Sequence, residues 1–156
     1  MNIEIRNASL DDINNGLLEV FIEGYRYHQN GRPDVFANLS DEELKKDLIN
    51  NFERLLTIVL LENEKIVGYL SYKIKDHHTK KLDVDQLIIS EKYRGKGYGK
   101  KLMDEVKKIA QDANCDRIEL NCWMFNESAL GMYEHIGYVK RDDINFDIRV
   151  CELKTL

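Results

Sequence analysis

One segment limits the folding of this chain more than any other: Leu87-x-Ile89 followed by Arg94-Gly95-Lys96-Gly97-Tyr98-Gly99-Lys100. Glycines at alternate positions lack the β-carbons that block a tight bend, so consecutive backbone N–H groups can turn toward one anion. Upstream, Leu87 and Ile89 alternate as on a strand. Downstream, Leu102, Met103, Val106, Ile109 and Ala110 fall on one side of a helix, while Lys100, Lys101, Lys107 and Lys108 mostly face outward. Strand, glycine bend and the positive end of a helix, in that order, suit a diphosphate. Neither commoner glycine motif fits the spacing. GxGxxG requires glycine where Lys100 stands, and a P-loop requires one where Arg94 stands, with Ser or Thr after its lysine.

Around this segment the pattern predicts strand, helices, three strands, helix, strand, helix, strand, one mixed α/β layer structure without repeats. Ile3 and Ile5 open a short strand, and Ser9 with Asp12 starts a helix from about Leu10 to Gly24. Tyr25 to Leu39 has no steady period and is expected to be a loop or broken helix. Ser40 with Glu43 caps a second helix, striped by Leu44, Leu48, Ile49 and Phe52. Leu55–Leu61 and Ile66–Ile74 pair as a hairpin around Glu62–Glu64, and Lys81–Ser90 extends the meander. Arg117–Trp123 is strand-like, Asn126–His135 forms a short helix, and Ile144, Phe146, Ile148 and Val150 alternate in a last strand.

The 156 residues make a single domain, 1–156, able to bury roughly two thirds of the surface of the unfolded chain. A net charge of -5 argues against nucleic acid as a partner, leaving only a local basic patch for phosphates. The longest apolar run, Leu55–Leu61, is far short of the about 20 residues that cross a bilayer, and MNIEIRNASLDD lacks the apolar stretch of a secretory signal. No membrane partner and a cytoplasmic location are therefore expected. Cys115, Cys122 and Cys151 lack metal-ligand spacing and suit reduced, packed thiols, with no metal.

Further motifs follow the bend: Asn126-Glu-Ser-Ala129-x-x-x-Tyr133, then Ile136-Gly137-Tyr138. With Leu87-x-Ile89 and Arg94, Gly97 and Gly99, they resemble the GNAT superfamily of acyl-CoA-dependent N-acetyltransferases, most specifically over Asp83 to Tyr138. The resemblance implies an α/β fold with a central, mostly antiparallel mixed sheet flanked by about four helices. It implies transfer of an acetyl group from acetyl-CoA to a primary amine by direct attack on the thioester. Backbone amides of Arg94, Gly95, Lys96, Gly97, Tyr98, Gly99 and Lys100 would hold the coenzyme A diphosphate. The backbone of Leu87, Ile88 and Ile89 would pair with the pantetheine arm, with Asn126 and Ala129 opposite. Tyr133 would face the departing sulfur.

An alkyl amine has a pKa of about 10.4, so a base must take its proton before attack. Asp83 and Asp85 share a strand face with Leu87 and Ile89, and a carboxylate in this region serves as base in several members of the family. The alternatives are a solvated strand end, pairing with Lys81, or Glu119 as the base. Tyr25, Tyr27, His28 and Phe36, with Asp34, lie where the family shapes its acceptor pocket, and aromatic rings with one acid suit a cationic amine; anchoring of the loop is the competing role. The amine itself is unidentified, self-association as a homodimer is left open, and the competing function is a domain that binds acyl-CoA without turnover.

Overall fold

A computed structural model describes residues 1–141, 147–154 and 156; Ile144 and Phe146, assigned to the last strand from sequence, lie outside the described residues. The strands are β1 (Ile3–Asn7), β2 (Leu56–Glu62), β3 (Lys65–Asp76), β4 (Lys80–Ile89), β5 (Arg117–Trp123), β6 (Val139–Lys140) and β7 (Ile148–Leu153). The α-helices are α1 (Leu17–Gly31), α2 (Asp41–Arg54), α3 (Tyr98–Asp112) and α4 (Glu127–His135). One sheet has the strand order β1-β2-β3-β4-β5-β7-β6. Its β1–β2, β5–β7 and β6–β7 pairs are antiparallel, and β4–β5 is parallel. The chain forms two compact units, Met1–Ser71 with Gln86–Leu102, and Tyr72–Asp85 with Met103–Leu156.

In the first unit, β1 pairs with β2 from Ile3↔Glu62 to Asn7↔Ile58. Asn63 and Glu64 turn the chain into β3 with φ of 48° and 71°. Positive φ at both central residues is what a type I′ hairpin turn demands. The Ser9–Asp12 capping pair forms, but it opens a short 3-10 helix, Leu10–Asn15, rather than a long α-helix. Buried Asp12 accepts from the two terminal nitrogens of the Arg6 guanidinium at 2.9 Å and from the Ser9 amide at 2.8 Å. The Arg6 hydrogen bonds hold its carboxyl below the usual carboxylate range. Gly16, at φ 114°, ends this turn, and α1 begins at Leu17.

The helix then runs to Gly31, so Tyr25, Tyr27 and His28 stand on α1 rather than in an irregular segment. Gly24 misled the sequence reading. It is no helix stop but a packing site: a β-carbon there would lie 2.8 Å from the Ile88 side chain. Gly24 thereby lets β4 approach α1. Ile88 joins Leu17, Phe21, Leu44, Leu48, Val59 and Tyr69 in one buried cluster beneath α1 and α2. Helix α2 begins as expected, with the Glu43 amide donating to Ser40 Oγ at 3.1 Å and the Ser40 amide donating to Glu43 at 3.2 Å.

In the second unit, β4 meets β5 from Lys81↔Arg117 to Val84↔Leu120, and β5 meets β7 from Ile118↔Leu153 to Trp123↔Ile148. Strand β6 escaped the sequence reading because two residues carry no periodicity. Leu82, Val106, Ala110, Ile118 and Leu120 fill the interior. Cys115, Cys122 and Cys151 are buried thiols, and burial pushes that of Cys122 up to about 12.

Gly68 on β3 is a second close approach. A β-carbon there would meet the Ile89 side chain at 2.5 Å and the Ile88 carbonyl at 3.0 Å. Backbone cannot swing aside as a side chain does, so Gly68→Ala should destabilise the protein by about 1–3 kcal/mol. Urea denaturation is expected to show a lower midpoint with an unchanged m-value.

Candidate active site

Strand β4 delivers the chain to the glycine bend through a chain of local anchors. Its Leu82, Val84 and Ile88 are buried; Asp83, Leu87 and Ile89 are half-buried and Asp85 is exposed, the alternation expected of one strand. The Ile88 side chain faces Gly24, which leaves its backbone as the part a ligand could meet. The Ser90 amide then donates to the Val67 carbonyl at 2.8 Å. Glu23 of α1 accepts from the Ser90 hydroxyl at 2.9 Å and from the Glu91 amide at 2.7 Å, holding the 3-10 turn Glu91–Tyr93.

Arg94 closes the bend. Its Nε donates to the Ile89 carbonyl at 3.1 Å, and its guanidinium carbon lies 5.5 Å from the Tyr27 ring centre. Gly95 and Gly97 both adopt φ 79°, a region that side-chain-bearing residues rarely occupy. Nothing lies within 4 Å of where a β-carbon would stand on either glycine. The bend therefore presents backbone to open space, as a diphosphate cradle must. Gly99 already belongs to α3, so two glycines rather than three carry the bend.

Beneath the bend lies a residue the sequence did not single out. Glu62, 9% exposed at the end of β2, accepts from the Lys96 ammonium at 2.9 Å and from the Tyr98 hydroxyl through the same oxygen. The Tyr98 bond, reinforced by Lys96, holds the Glu62 carboxyl below the usual carboxylate range, and the bond to Glu62 pushes the Tyr98 hydroxyl up to about 12. Lys96 thus has its charge met by Glu62. Neither Glu23 nor Glu62 carries a one-dimensional signal, since each acts on residues distant in sequence.

The aromatic residues assigned to the acceptor do assemble. Tyr25 and Phe36 meet edge to face at 5.8 Å, His28 and Phe36 at 5.6 Å, and Tyr27 and His28 at 5.5 Å. Two ties favour an anchoring role for part of this group: the Tyr25 hydroxyl donates to the Ala37 carbonyl at 2.7 Å, and His28 Nδ1 lies 2.8 Å from the Gly24 carbonyl. Asp34 pairs with Arg32 at 2.8 Å, so the acid of this segment has a cation of its own.

In the second unit, the Asn126 side chain accepts from the Ala129 amide at 3.4 Å and caps α4. Tyr133 on α4 is buried, and that burial, with Cys122, Tyr138 and Cys151 adding to it, drives its hydroxyl well above the ordinary phenol range. It stays protonated at neutral pH and keeps a proton to donate. Asp83 pairs with Lys75 at 3.1 Å and Lys81 with Glu119 at 3.0 Å, so Asp83 is ion-paired as the alternative reading had it, but with Lys75 in place of Lys81.

Glu119 is buried and also faces Arg117 at 3.5 Å and Arg141 at 3.4 Å. Burial alone would raise its proton affinity; Lys81, Arg141 and Arg117 outweigh it and hold the carboxyl below the usual range. Such a carboxylate is a poor base.

The chain matches the Acetyltransferase (GNAT) family over residues 19–138, more than half its length, and belongs to that family. It is 27% identical over 97 residues to the spermine/spermidine N(1)-acetyltransferase of Bacillus subtilis, covering 58% of this chain and 64% of that protein. It is 30% identical over 95 residues to N-alpha-acetyltransferase 30 of Xenopus laevis, covering 59% of this chain and 34% of that protein. The match thus spans less than two thirds of each of these relatives. The fold is similar to the PaiA N-acetyltransferase of Thermoplasma acidophilum, solved with coenzyme A, at TM-score 0.80 and 23% identity over 99% of this chain and all of that one. Among the described residues, no helix is long and apolar enough to cross a membrane.

The depressed pKa of Glu119 has a definite sign. A carboxyl whose folded pKa lies below its unfolded value contributes stability that is complete above the unfolded value and is lost as pH falls through the folded one. Glu119→Gln should therefore cost about 1–3 kcal/mol near pH 7, where Lys81, Arg117 and Arg141 lose one charged partner and the two arginines keep Glu152 at 3.9 and 3.8 Å. Denaturant titrations at successively lower pH are expected to show that difference shrinking once the medium passes below the ordinary carboxylate range.

Proposed function

We propose that this protein transfers an acetyl group from acetyl-CoA to a primary amine. The observation that carries the reading is the open, backbone-lined bend at Gly95 and Gly97, both at φ 79°, leading into the start of α3 in a chain of the GNAT family. Amides from Arg94 to Lys100 and the positive end of the 15-residue α3 would hold the diphosphate. The backbone of Leu87 to Ile89 would bind the pantetheine arm. The coenzyme supplies an activated thioester; the protein supplies orientation, a proton acceptor and a hydrogen-bond donor.

Asp85 is the base we favour, as the carboxylate nearer Leu87 along β4 and exposed there. It would draw the proton from the ammonium, directly or through water, leaving a neutral nitrogen to attack. Tyr133 would donate a hydrogen bond to the departing sulfur. Full proton transfer from a phenol of about pKa 10 to a thiolate of about 8.5 already runs roughly 2 kcal/mol uphill, and the upward shift of the Tyr133 hydroxyl widens that gap. Donation without transfer is therefore the role that fits. The group formed by Tyr25, Tyr27, His28 and Phe36 would receive the acceptor, its ring faces suited to a cationic amine. Polyamines and protein amino termini, the acceptors named for the two relatives, are the classes to test first.

Incubation of the purified protein with acetyl-CoA and either spermidine or short peptides, read as released thiol, is expected to show turnover with one class. Coenzyme A binding with no thiol release on any amine would favour a sensor that binds acyl-CoA without turnover. Tyr133→Phe should lower kcat by about 10- to 100-fold, the usual scale for losing one oriented donor, while the Kd for coenzyme A stays within about twofold. Gly97→Val should abolish measurable coenzyme A binding, since a branched residue resists positive φ and its side chain projects into the cradle. Calorimetry with coenzyme A checks both.

A further inference from the structure

We infer that Glu62 is a positioning residue for the glycine bend: its buried carboxylate grips the side chains on either side of Gly97 and fixes the amides that face the diphosphate. The inference rests on the coenzyme A reading above. Lys96 and Tyr98 flank Gly97, and both end on Glu62 Oε1, the ammonium at 2.9 Å and the hydroxyl in a short hydrogen bond. Glu62 is held in turn by β2, where it pairs with Ile3 of β1. The anchor is thus part of the sheet, and the bend hangs from it.

The bend needs such an anchor. Gly95 and Gly97 are exposed, and a β-carbon on either would touch nothing, so no packing around these glycines enforces their left-handed conformation. Glycine populates both signs of φ about as readily, and an untied bend would sample several arrangements. Ordering even one such residue at the moment of binding corresponds to about tenfold in affinity. A tether on each side of Gly97 removes that freedom in advance.

The arrangement also assigns the electrostatics. With its charge met by Glu62, and with its ammonium 5.4 Å from the Tyr93 ring centre and 5.9 Å from that of Tyr98, Lys96 is committed to the base of the bend. Recognition of the diphosphate then falls to backbone amides and the start of α3. Glu62 lends the loop shape at the expense of one free cation. This is a choice of preorganisation over bulk charge.

The test compares wild type, Glu62→Gln, Tyr98→Phe and Lys96→Met by calorimetry with coenzyme A, steady-state kinetics, melting temperature, and hydrogen exchange of amides 94–99 without ligand. Glu62→Gln is expected to raise the coenzyme A Kd and the acetyl-CoA KM about tenfold, to leave kcat within about twofold, and to speed exchange in the bend. Adding Tyr98→Phe to Glu62→Gln should cost less than a further twofold, since the two act as one unit. A merely structural role would lower the melting temperature and active fraction without moving KM. Should Glu62→Gln fail to fold, Tyr98→Phe, which keeps the ring, carries the same expectation in smaller measure. Unchanged or tighter coenzyme A binding in these variants, with unchanged exchange in the bend, would overturn the proposal. A wild-type protein that does not bind coenzyme A would instead overturn the cofactor reading, and this proposal with it.

Discussion

The chain must pass from the end of β4 into the first turn of α3 through two residues at φ 79°, and much of the surrounding structure serves that passage. Left-handed backbone is cheap only for glycine, and glycine alone does not hold it. The constraint is therefore supplied from outside. Glu23 on α1 fixes the entry through Ser90 and Glu91, Arg94 closes back on Ile89, and Glu62 on β2 ties down both neighbours of Gly97. Two elements far from it in sequence, α1 and β2, converge on one bend whose glycines carry no packing of their own.

The same economy of space governs the strand that leads in. Gly24 and Gly68 each lack the β-carbon that would strike Ile88 or Ile89, so helix α1 and strand β3 can close on β4 from their respective positions. Close approach costs little here because the glycines sit inside regular elements held by many other contacts, such as the cluster of Leu17, Phe21, Leu44 and Val59. The backbone at Ile88 and Ile89 is thereby set by packing rather than by charge.

Charge is handled by pairing wherever it is buried. Asp12 is met by Arg6, Glu62 by Lys96 and Tyr98, and Glu119 by Lys81, Arg117 and Arg141. In each case the carboxyl is held below its usual range, so these groups stay ionised and are unsuited to proton exchange at neutral pH. Tyr133 lies at the other extreme: burial, with Cys122, Tyr138 and Cys151 adding to it, disfavours a phenolate, and it keeps its proton.

The sequence by itself determined the strands and helices whose periodicity is long enough to see, the capping pairs at Ser9 and Ser40, and the bend between Ile89 and Tyr98, because each is encoded by residues near one another in the chain. It also carried the family, through motifs of fixed local spacing. What only the tertiary structure decided is which glycines bend and which pack, that α1 runs on past Gly24 to carry Tyr25, Tyr27 and His28, that Asp83 meets Lys75 rather than Lys81, and that Glu23 and Glu62 hold the loop. A glycine's role depends on what stands within a few ångströms of its missing side chain, and a carboxylate's on which donors reach it. Neither distance is written in local order; both arise only when residues dozens of positions apart are brought together by the burial of the core.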